Sequence, residues 1–163
     1  MIDQILPYIS NLPTEVAVIL LSALPLTELR ASLPLALTFF QMETLDAWFF
    51  SVLGNLIPIP IMFFLFEPIY EFVKKKIPAL QRFIDNKIDS LHKKYKDRYD
   101  NIGLLLLVLI VAVPFPGTGV WTGSLLAIIF SIKRTKAIFA LVLGLIGASI
   151  IVLLLTKGFL QLI

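Results

Sequence analysis

Residues 102–132 read IGLLLLVLIVAVPFPGTGVWTGSLLAIIFSI, a run of 31 residues without a charged side chain. One continuous helix of that length would measure about 46 Å, well beyond the ~30 Å hydrocarbon core of a bilayer. At its centre, residues 114–119 place two prolines and two glycines within six positions, and both residue types break helices. The run therefore predicts two short helical arms, each too short to cross a membrane, around an irregular tip.

Residues 16–40 have the same form. They are apolar except for the sequence PLTELR in their middle, which contains Glu28 and Arg30. Two other stretches, 47–66 and 137–156, contain 20 residues each and no charge. That length spans a bilayer as a helix. The sequence thus predicts an all-α integral membrane protein in which two broken hairpins accompany two transmembrane helices.

The composition agrees with a membrane protein: 58% of the 163 residues are hydrophobic, 15% are charged, and the mean hydropathy is +0.93. The chain has no cysteine and one histidine, which excludes disulfides, thiol catalysis, cysteine-held metals and multi-histidine sites. It also lacks a Walker A sequence and a serine, histidine and aspartate set. We therefore expect no catalytic residues, no metal and no cofactor, and not an enzyme.

The two halves of the chain resemble each other. Residues 23–26 match 112–115 at an offset of 89, and residues 47–54 match 137–144 at an offset of 90. We interpret the chain as one membrane domain, 1–163, with a first repeat at 14–66, a linker at 67–101 and a second repeat at 102–156. Each repeat would be a hairpin followed by one spanning helix, a plan common in transporters.

The loop charges favour re-entrant hairpins. If each hairpin returns to its own side, the acidic loop 41–46 lies opposite the basic linker and the basic loop 131–136, as the positive-inside rule requires. The repeats are then inverted, and both termini lie outside the cytoplasm of a multi-pass plasma-membrane protein. The alternative, in which each hairpin crosses fully, would place the acidic and basic loops on one side.

The linker 67–101 holds nine of the 14 basic residues and six of the 11 acidic ones. Its apolar residues recur every three or four positions from Ile77 to Tyr99, which predicts an amphipathic helix in the cytoplasmic interface, held by anionic lipids. A nucleic-acid patch is the weaker alternative, since no recognition motif accompanies the charges. We expect no nucleic-acid partner, and His92 is interpreted as a solvated residue.

The tips of the hairpins are the predicted site. Glu28 and Arg30 would lie deep in the membrane, where ionisable groups are costly and usually face a polar cavity or each other. They are interpreted as a substrate or coupling-ion site, with mutual neutralisation as the alternative. Thr27 or Glu28 is predicted to cap the first tip helix, and Thr118 or Thr122 the second. Such helix starts attract anions.

Three other features support the tips or the packing. Asn55, inside the first spanning helix, is predicted to hydrogen-bond across helices and support a tip, while Pro58 and Pro60 should kink that helix. Trp121 either lines the pocket or packs. The stripe Ala140, Gly144 and Ala148 predicts close helix packing, within the chain or in a homodimer.

Two stretches carry a family resemblance. Residues 28–34, ELRASLP, resemble the Glu-Leu-Arg-x-x-x-Pro motif of the small multidrug export protein family, and residues 114–127 resemble its second motif. That family is similar in plan to the DedA-like (VTT-domain) superfamily. The resemblance implies movement of lipids, including polyprenyl-phosphate carriers, between leaflets with H⁺ or Na⁺ coupling, and it matches Glu28 and Arg30 to the essential tip residues.

The leading hypothesis is therefore a secondary transporter of an anionic lipid head group; the alternatives are an exporter of small organic solutes or drugs, and a non-transporting membrane scaffold. An intramembrane enzyme is the weakest hypothesis. The candidate binding and coupling residues are Thr27, Glu28, Arg30, Pro34, Asn55, Pro114, Pro116, Gly117, Thr118, Gly119, Trp121, Thr122 and Gly123.

Overall fold

A computed structural model describes residues 12–77, 81–82, 86, 99–115 and 117–161, and these residues form helices and turns without a strand. The helices are α1 (Thr14–Ala23), α2 (Glu28–Thr38), α3 (Thr44–Leu56), α4 (Pro58–Ile61), a π-helical turn (Met62–Phe66), α5 (Glu67–Lys76), α6 (Tyr99–Ala112), α7 (Val120–Ile129) and α8 (Arg134–Leu160). The predicted all-α class is confirmed for this part of the chain.

Both long charge-poor stretches that were predicted to form hairpins are broken at their centres. The first gives α1 and α2, of 10 and 11 residues, and the second gives α6 and α7, of 14 and 10 residues. At 1.5 Å per residue the arms measure about 15–21 Å, shorter than the hydrocarbon core. The predicted break is confirmed, while the re-entrant course of each hairpin stays a prediction.

Two helical runs are long and apolar enough to cross a membrane by length and composition. They are Thr44–Phe66, with a hydropathy of 2.1, and Arg134–Leu160, with a hydropathy of 3.0. The first run is interrupted, as predicted from its prolines. Since Pro58 has no N–H, the Gly54 carbonyl instead accepts from Ile57 at 3.2 Å, and a π-helical turn follows at Met62–Phe66.

The contacts divide the chain into two units, comprising the described residues of 1–57 and 145–163, and those of 58–144. In the first unit α1, α2 and α3 pack together around side chains that are at most 2% exposed: Ala17, Val18, Leu21, Leu29 and Leu33. The closest approach is at Gly54 of α3. A Cβ there would lie 2.8 Å from both Ile19 Cα and Ser22 Cβ of α1.

In the second unit, two helices approach each other in a similar way. A Cβ at Gly144 of α8 would lie 2.8 Å from Val108 O and 2.7 Å from Val111 Cβ of α6. Ala140, Gly144 and Ala148, the predicted packing stripe, are all buried. The contacts of Gly144 explain why glycine occupies this position, because any side chain there would separate α6 and α8.

Local structure recurs at the offset predicted from the sequence. The long helices begin at Thr44 and Arg134, 90 residues apart. Gln41 and Ser131, also 90 apart, precede them with φ angles of 51° and 52°. Gly54 contacts residues 19 and 22, while Gly144 contacts residues 108 and 111, which are the same positions 89 residues later. The inverted orientation of the two repeats stays a prediction.

The linker is described in part. The helix α5 covers its first ten residues, Glu67–Lys76. Most of the predicted apolar face, and also His92, lie outside the described residues. The amphipathic helix across 67–101 and its position in the interface therefore stay predictions.

Candidate functional site

The first tip holds a partly buried ion pair. Arg30 Nη1 donates to Glu28 Oε2 at 2.9 Å, and the two side chains are 21% and 6% exposed, respectively. Glu28 is the first residue of α2, so the pair lies at the turn between α1 and α2, as predicted. The arginine is the more accessible partner, and the carboxylate lies behind it.

The backbone at Glu28 is unusual. Its φ angle is 46°, in the left-handed region that residues other than glycine seldom adopt. For an L-residue this conformation costs about 1–2 kcal/mol. Such strained positions concentrate at functional sites. Glycine would adopt this conformation with less strain than glutamate. The presence of a carboxylate at this position therefore favours a functional role for the Glu28 side chain.

The predicted threonine cap of the first helix is wrong. Thr27 occupies the N-cap position of α2, yet its hydroxyl makes no cap bond and donates instead to the Leu21 carbonyl. That carbonyl would accept from residue 25 in a continuing helix, but Pro25 has no N–H. The hydroxyl therefore replaces the donor that the proline removes at the end of α1.

Asn55 reaches the start of α2 from α3. With its amide oriented so that both atoms have partners, it donates to Ser22 O at 3.2 Å and accepts from Leu29 N–H at 3.3 Å. Asn55 is 3% exposed. The residue thus joins α1, α2 and α3 beside the ion pair, which is the interhelical hydrogen bonding that the sequence predicts for it.

Two serines next to this junction form a buried hydrogen bond that was not predicted from the sequence. Ser22 and Ser51 are fully buried, and the Ser22 hydroxyl donates to the Ser51 carbonyl at 2.5 Å. The sequence pattern that could have indicated these hydrogen-bonding serines is a small polar residue within an apolar helix. This pattern is weak evidence, because serine also occurs in apolar helices simply as a small packing residue. Pro34 lies within α2, where it interrupts the helical hydrogen bonding one turn after Arg30.

The second tip is closed by a threonine. The Thr118 hydroxyl donates to the carbonyls of Val113 and Phe115 at 2.9 and 2.7 Å, and Thr122 donates to Gly117 O at 2.9 Å. Both hydroxyls thus bond to carbonyls of the turn. The N-cap of α7 is Gly119, with no side-chain cap bond. The expectation that Thr118 or Thr122 caps this helix is wrong.

The glycines of the second tip are required for two different structural reasons. Gly117 and Gly119 adopt φ angles of 82° and 120°, which glycine alone takes without strain. Gly123 is a packing residue, because a Cβ there would lie 2.6 Å from Val111 Cγ2 and 2.7 Å from Leu141 Cδ2. Trp121 is half-buried in the first turn of α7, Pro114 precedes the turn, and Pro116 lies outside the described residues.

The structure also gives a fixed position to a residue that the sequence suggested only as a topology signal. Arg134 Nη2 donates to Phe63 O at 2.8 Å, and its guanidinium lies 5.6 and 5.1 Å from the rings of Phe63 and Phe64. In a π-helix the Phe63 carbonyl would accept from Pro68, which has no N–H. Arg134 supplies that hydrogen bond.

Within the first unit, Glu28 and Arg30 form an ion pair, and Asn55 bonds to the backbone of Leu29, the residue between them. The residues of the second tip form a hydrogen-bonded turn within the second unit. In the described part of the chain, no three His, Cys, Asp or Glu side chains lie where they could hold a metal ion together.

Comparison with known families agrees with this arrangement. A family model described as "Putative small multi-drug export protein" matches residues 28–151. The chain belongs to this family. The match begins at Glu28, and it includes Arg30 and the whole second tip. No curated protein and no solved structure gives a significant match. Membership in the small multi-drug export family, with the two long apolar helices, indicates a membrane protein that acts in transport.

Proposed function

We propose that the protein is a secondary transporter that binds an anionic head group at Arg30 and couples its passage to a cation through Glu28. The observation that carries this proposal is an ion pair with a buried carboxylate, held at a strained residue where two short apolar helices meet. A scaffold would gain little from such a pair, because replacing a buried ion pair with apolar residues is often neutral or stabilising.

The exposures of the two side chains suggest an order of events. An anion that approaches the tip meets the guanidinium first, since Arg30 is 21% exposed and Glu28 is 6% exposed. The guanidinium matches phosphate and carboxylate groups through paired N–H donors. If the anion takes the guanidinium, the ion pair is broken and the buried carboxylate of Glu28 loses the compensating charge of Arg30.

A buried carboxylate that loses a compensating positive charge binds a proton or another cation more readily. Binding of the anion and uptake of H⁺ or Na⁺ at Glu28 are thereby linked. This exchange of partners is a coupling mechanism that needs no further charged residue. It also explains why both members of the pair are present, one as the anion site and one as the cation site.

We favour a phosphorylated lipid as the substrate. The turn beside the pair exposes two leucines, Leu24 at 42% and Leu26 at 78%, so apolar surface borders the charged site. A lipid can keep its tail in the bilayer while its head group reaches Arg30. The family description favours a second candidate, export of small organic solutes, for which the same pair would bind an organic anion.

The test is leaflet exchange of a labelled polyprenyl-phosphate lipid in liposomes, with and without a pH or sodium gradient. Wild type should exchange the lipid, and Glu28→Gln and Arg30→Gln should each abolish exchange. Glu15→Gln is the matched control, because Glu15 is an exposed carboxylate in the first turn of α1. Full exchange by a folded Glu28→Gln protein contradicts the proposed coupling.

Two results separate the alternatives. Folded wild-type protein that moves a fluorescent organic anion but no lipid identifies the small-solute exporter. Absence of both activities, together with loss of folding in Glu28→Gln and Arg30→Gln, identifies a structural role for the ion pair.

A further inference from the structure

The second unit contains an apolar groove between α6 and α8. Its volume is about 410 Å³, within the usual range of about 300–1,000 Å³ for ligand sites. Leu105 and Val108 contribute from α6, and Phe139 and Leu143 from α8. Three of these remain substantially exposed: Leu105 at 60%, Phe139 at 72% and Leu143 at 51%. The groove is therefore open along its length on the surface of the two helices.

The polar groups of the groove lie at one end. Thr135 and Lys136, in the first turn of α8, are its polar lining residues. Leu143 lies about 12 Å farther along the helix at 1.5 Å per residue. The groove thus has a positively charged end and is lined by apolar side chains along the rest of its length.

Both helices present their N-termini at the cationic end. Gly103 lies beside Ile132, and Gly144 lies beside Val111, so α6 and α8 run parallel. Two helix N-termini at one end add their partial positive charges. Lys133 and Lys136 are exposed there, although basic residues near a helix N-terminus are electrostatically unfavourable. An anionic group at this end would lie close to both helix N-termini and to the lysine side chains.

We infer that this groove binds an anionic phospholipid, with one acyl chain along Leu105, Phe139 and Leu143 and its phosphate at Lys136. Charge complementarity selects the lipid: the apolar length fits a hydrocarbon chain, and the cationic end fits its head group. The lining residues of the groove belong to the second unit and include neither Glu28 nor Arg30, so its test does not depend on transport.

The experiment measures lipid bound to the purified protein by native mass spectrometry, with phosphatidylglycerol and phosphatidylcholine as probes. Wild type should retain phosphatidylglycerol in preference to phosphatidylcholine. Lys136→Gln should weaken phosphatidylglycerol binding about fivefold, the effect of one basic residue near an anionic head group. Lys157→Gln is the control, because Lys157 is an exposed basic residue at the other end of α8.

A second variant tests the acyl-chain position. Leu105→Trp should fill the groove and remove bound phosphatidylglycerol, whereas Leu106→Trp should not, since Leu106 is 52% exposed but does not line the groove. Equal retention of both lipids, or unchanged binding in both Lys136→Gln and Leu105→Trp, would overturn the inference. So would a dimer that Leu105→Trp dissociates, because the groove would then hold a second copy of the chain.

Discussion

Adding one methyl group at Gly54 should destabilise the protein, although the same change usually stabilises a helix. In an open helical position, Gly→Ala gains about 1 kcal/mol. At Gly54 the new Cβ would lie 2.8 Å from Ile19 Cα and from Ser22 Cβ. Overpacking costs about 1–3 kcal/mol, and the upper value applies because a backbone atom cannot turn away. We expect a net loss of about 2 kcal/mol.

For a chain of this size, a loss of that magnitude lowers Tm by about 4–8 °C. The measurement is thermal unfolding of the purified protein in detergent, followed by intrinsic fluorescence. Gly158→Ala is the matched control, because a Cβ there meets nothing within 4 Å, and it should raise Tm by about 2–4 °C. A rise in Tm for Gly54→Ala, equal to that of Gly158→Ala, would refute the packing argument.

The same variant should affect the site. Gly54 allows α3 to lie close to α1, and the next residue, Asn55, holds Ser22 O and Leu29 N–H. Separating the helices lengthens those hydrogen bonds and moves the start of α2, which carries Glu28. Lipid exchange should therefore fall in Gly54→Ala more than in Gly144→Ala, which has a similar steric clash in the second unit.

Three further substitutions test single contacts by the same thermal assay. Asn55→Leu leaves a buried carbonyl and N–H without their partner, and should cost about 2–4 kcal/mol; an unchanged Tm would contradict the junction. Arg134→Lys loses the planar contact with Phe63 while keeping its charge, and should cost about 1 kcal/mol; Lys133→Arg, which alters an exposed neighbour, should be neutral. Thr118→Val removes the hydroxyl that bonds Phe115 O at 2.7 Å, and should cost about 1 kcal/mol, whereas Thr118→Ser should retain wild-type Tm within about 2 °C.

The helix breaks could be predicted because their causes are local. Proline and glycine at 114–119 act on their own backbone, and so does Pro58. The ion pair was the alternative interpretation of Glu28 and Arg30, and it could be foreseen because the two opposite charges lie within one apolar stretch; their role as a substrate or coupling-ion site stays a prediction. Asn55 followed from the same reasoning about polar groups among apolar neighbours. None of these inferences required knowledge of which helices touch.

The hydrogen bonds of the threonine hydroxyls could not be predicted, although they are local, because two kinds of partner lie within reach of each hydroxyl. A threonine near a helix start can accept from an N–H or donate to a carbonyl, and the sequence favoured the first. At Thr27 the second occurs, because Pro25 leaves Leu21 O without its helical donor. The same physical cause explains Arg134, which bonds Phe63 O where Pro68 has no N–H. The sequence identifies the prolines, but it does not identify the hydrogen-bond donors that replace their missing N–H groups.

The two tips differ at equivalent positions, and this difference bears on function. Glu28 and Gly117 are 89 residues apart, the offset that relates the two hairpins, and both adopt positive φ angles, 46° and 82°. The turn therefore needs a left-handed residue at this position in each half. The second tip uses glycine, which takes that conformation with little strain. The first tip uses glutamate in spite of a cost of about 1–2 kcal/mol. Because glycine would fit the turn with less strain, the carboxylate of Glu28 is best explained by its ion pair with Arg30, which is the pair that the proposed coupling mechanism uses.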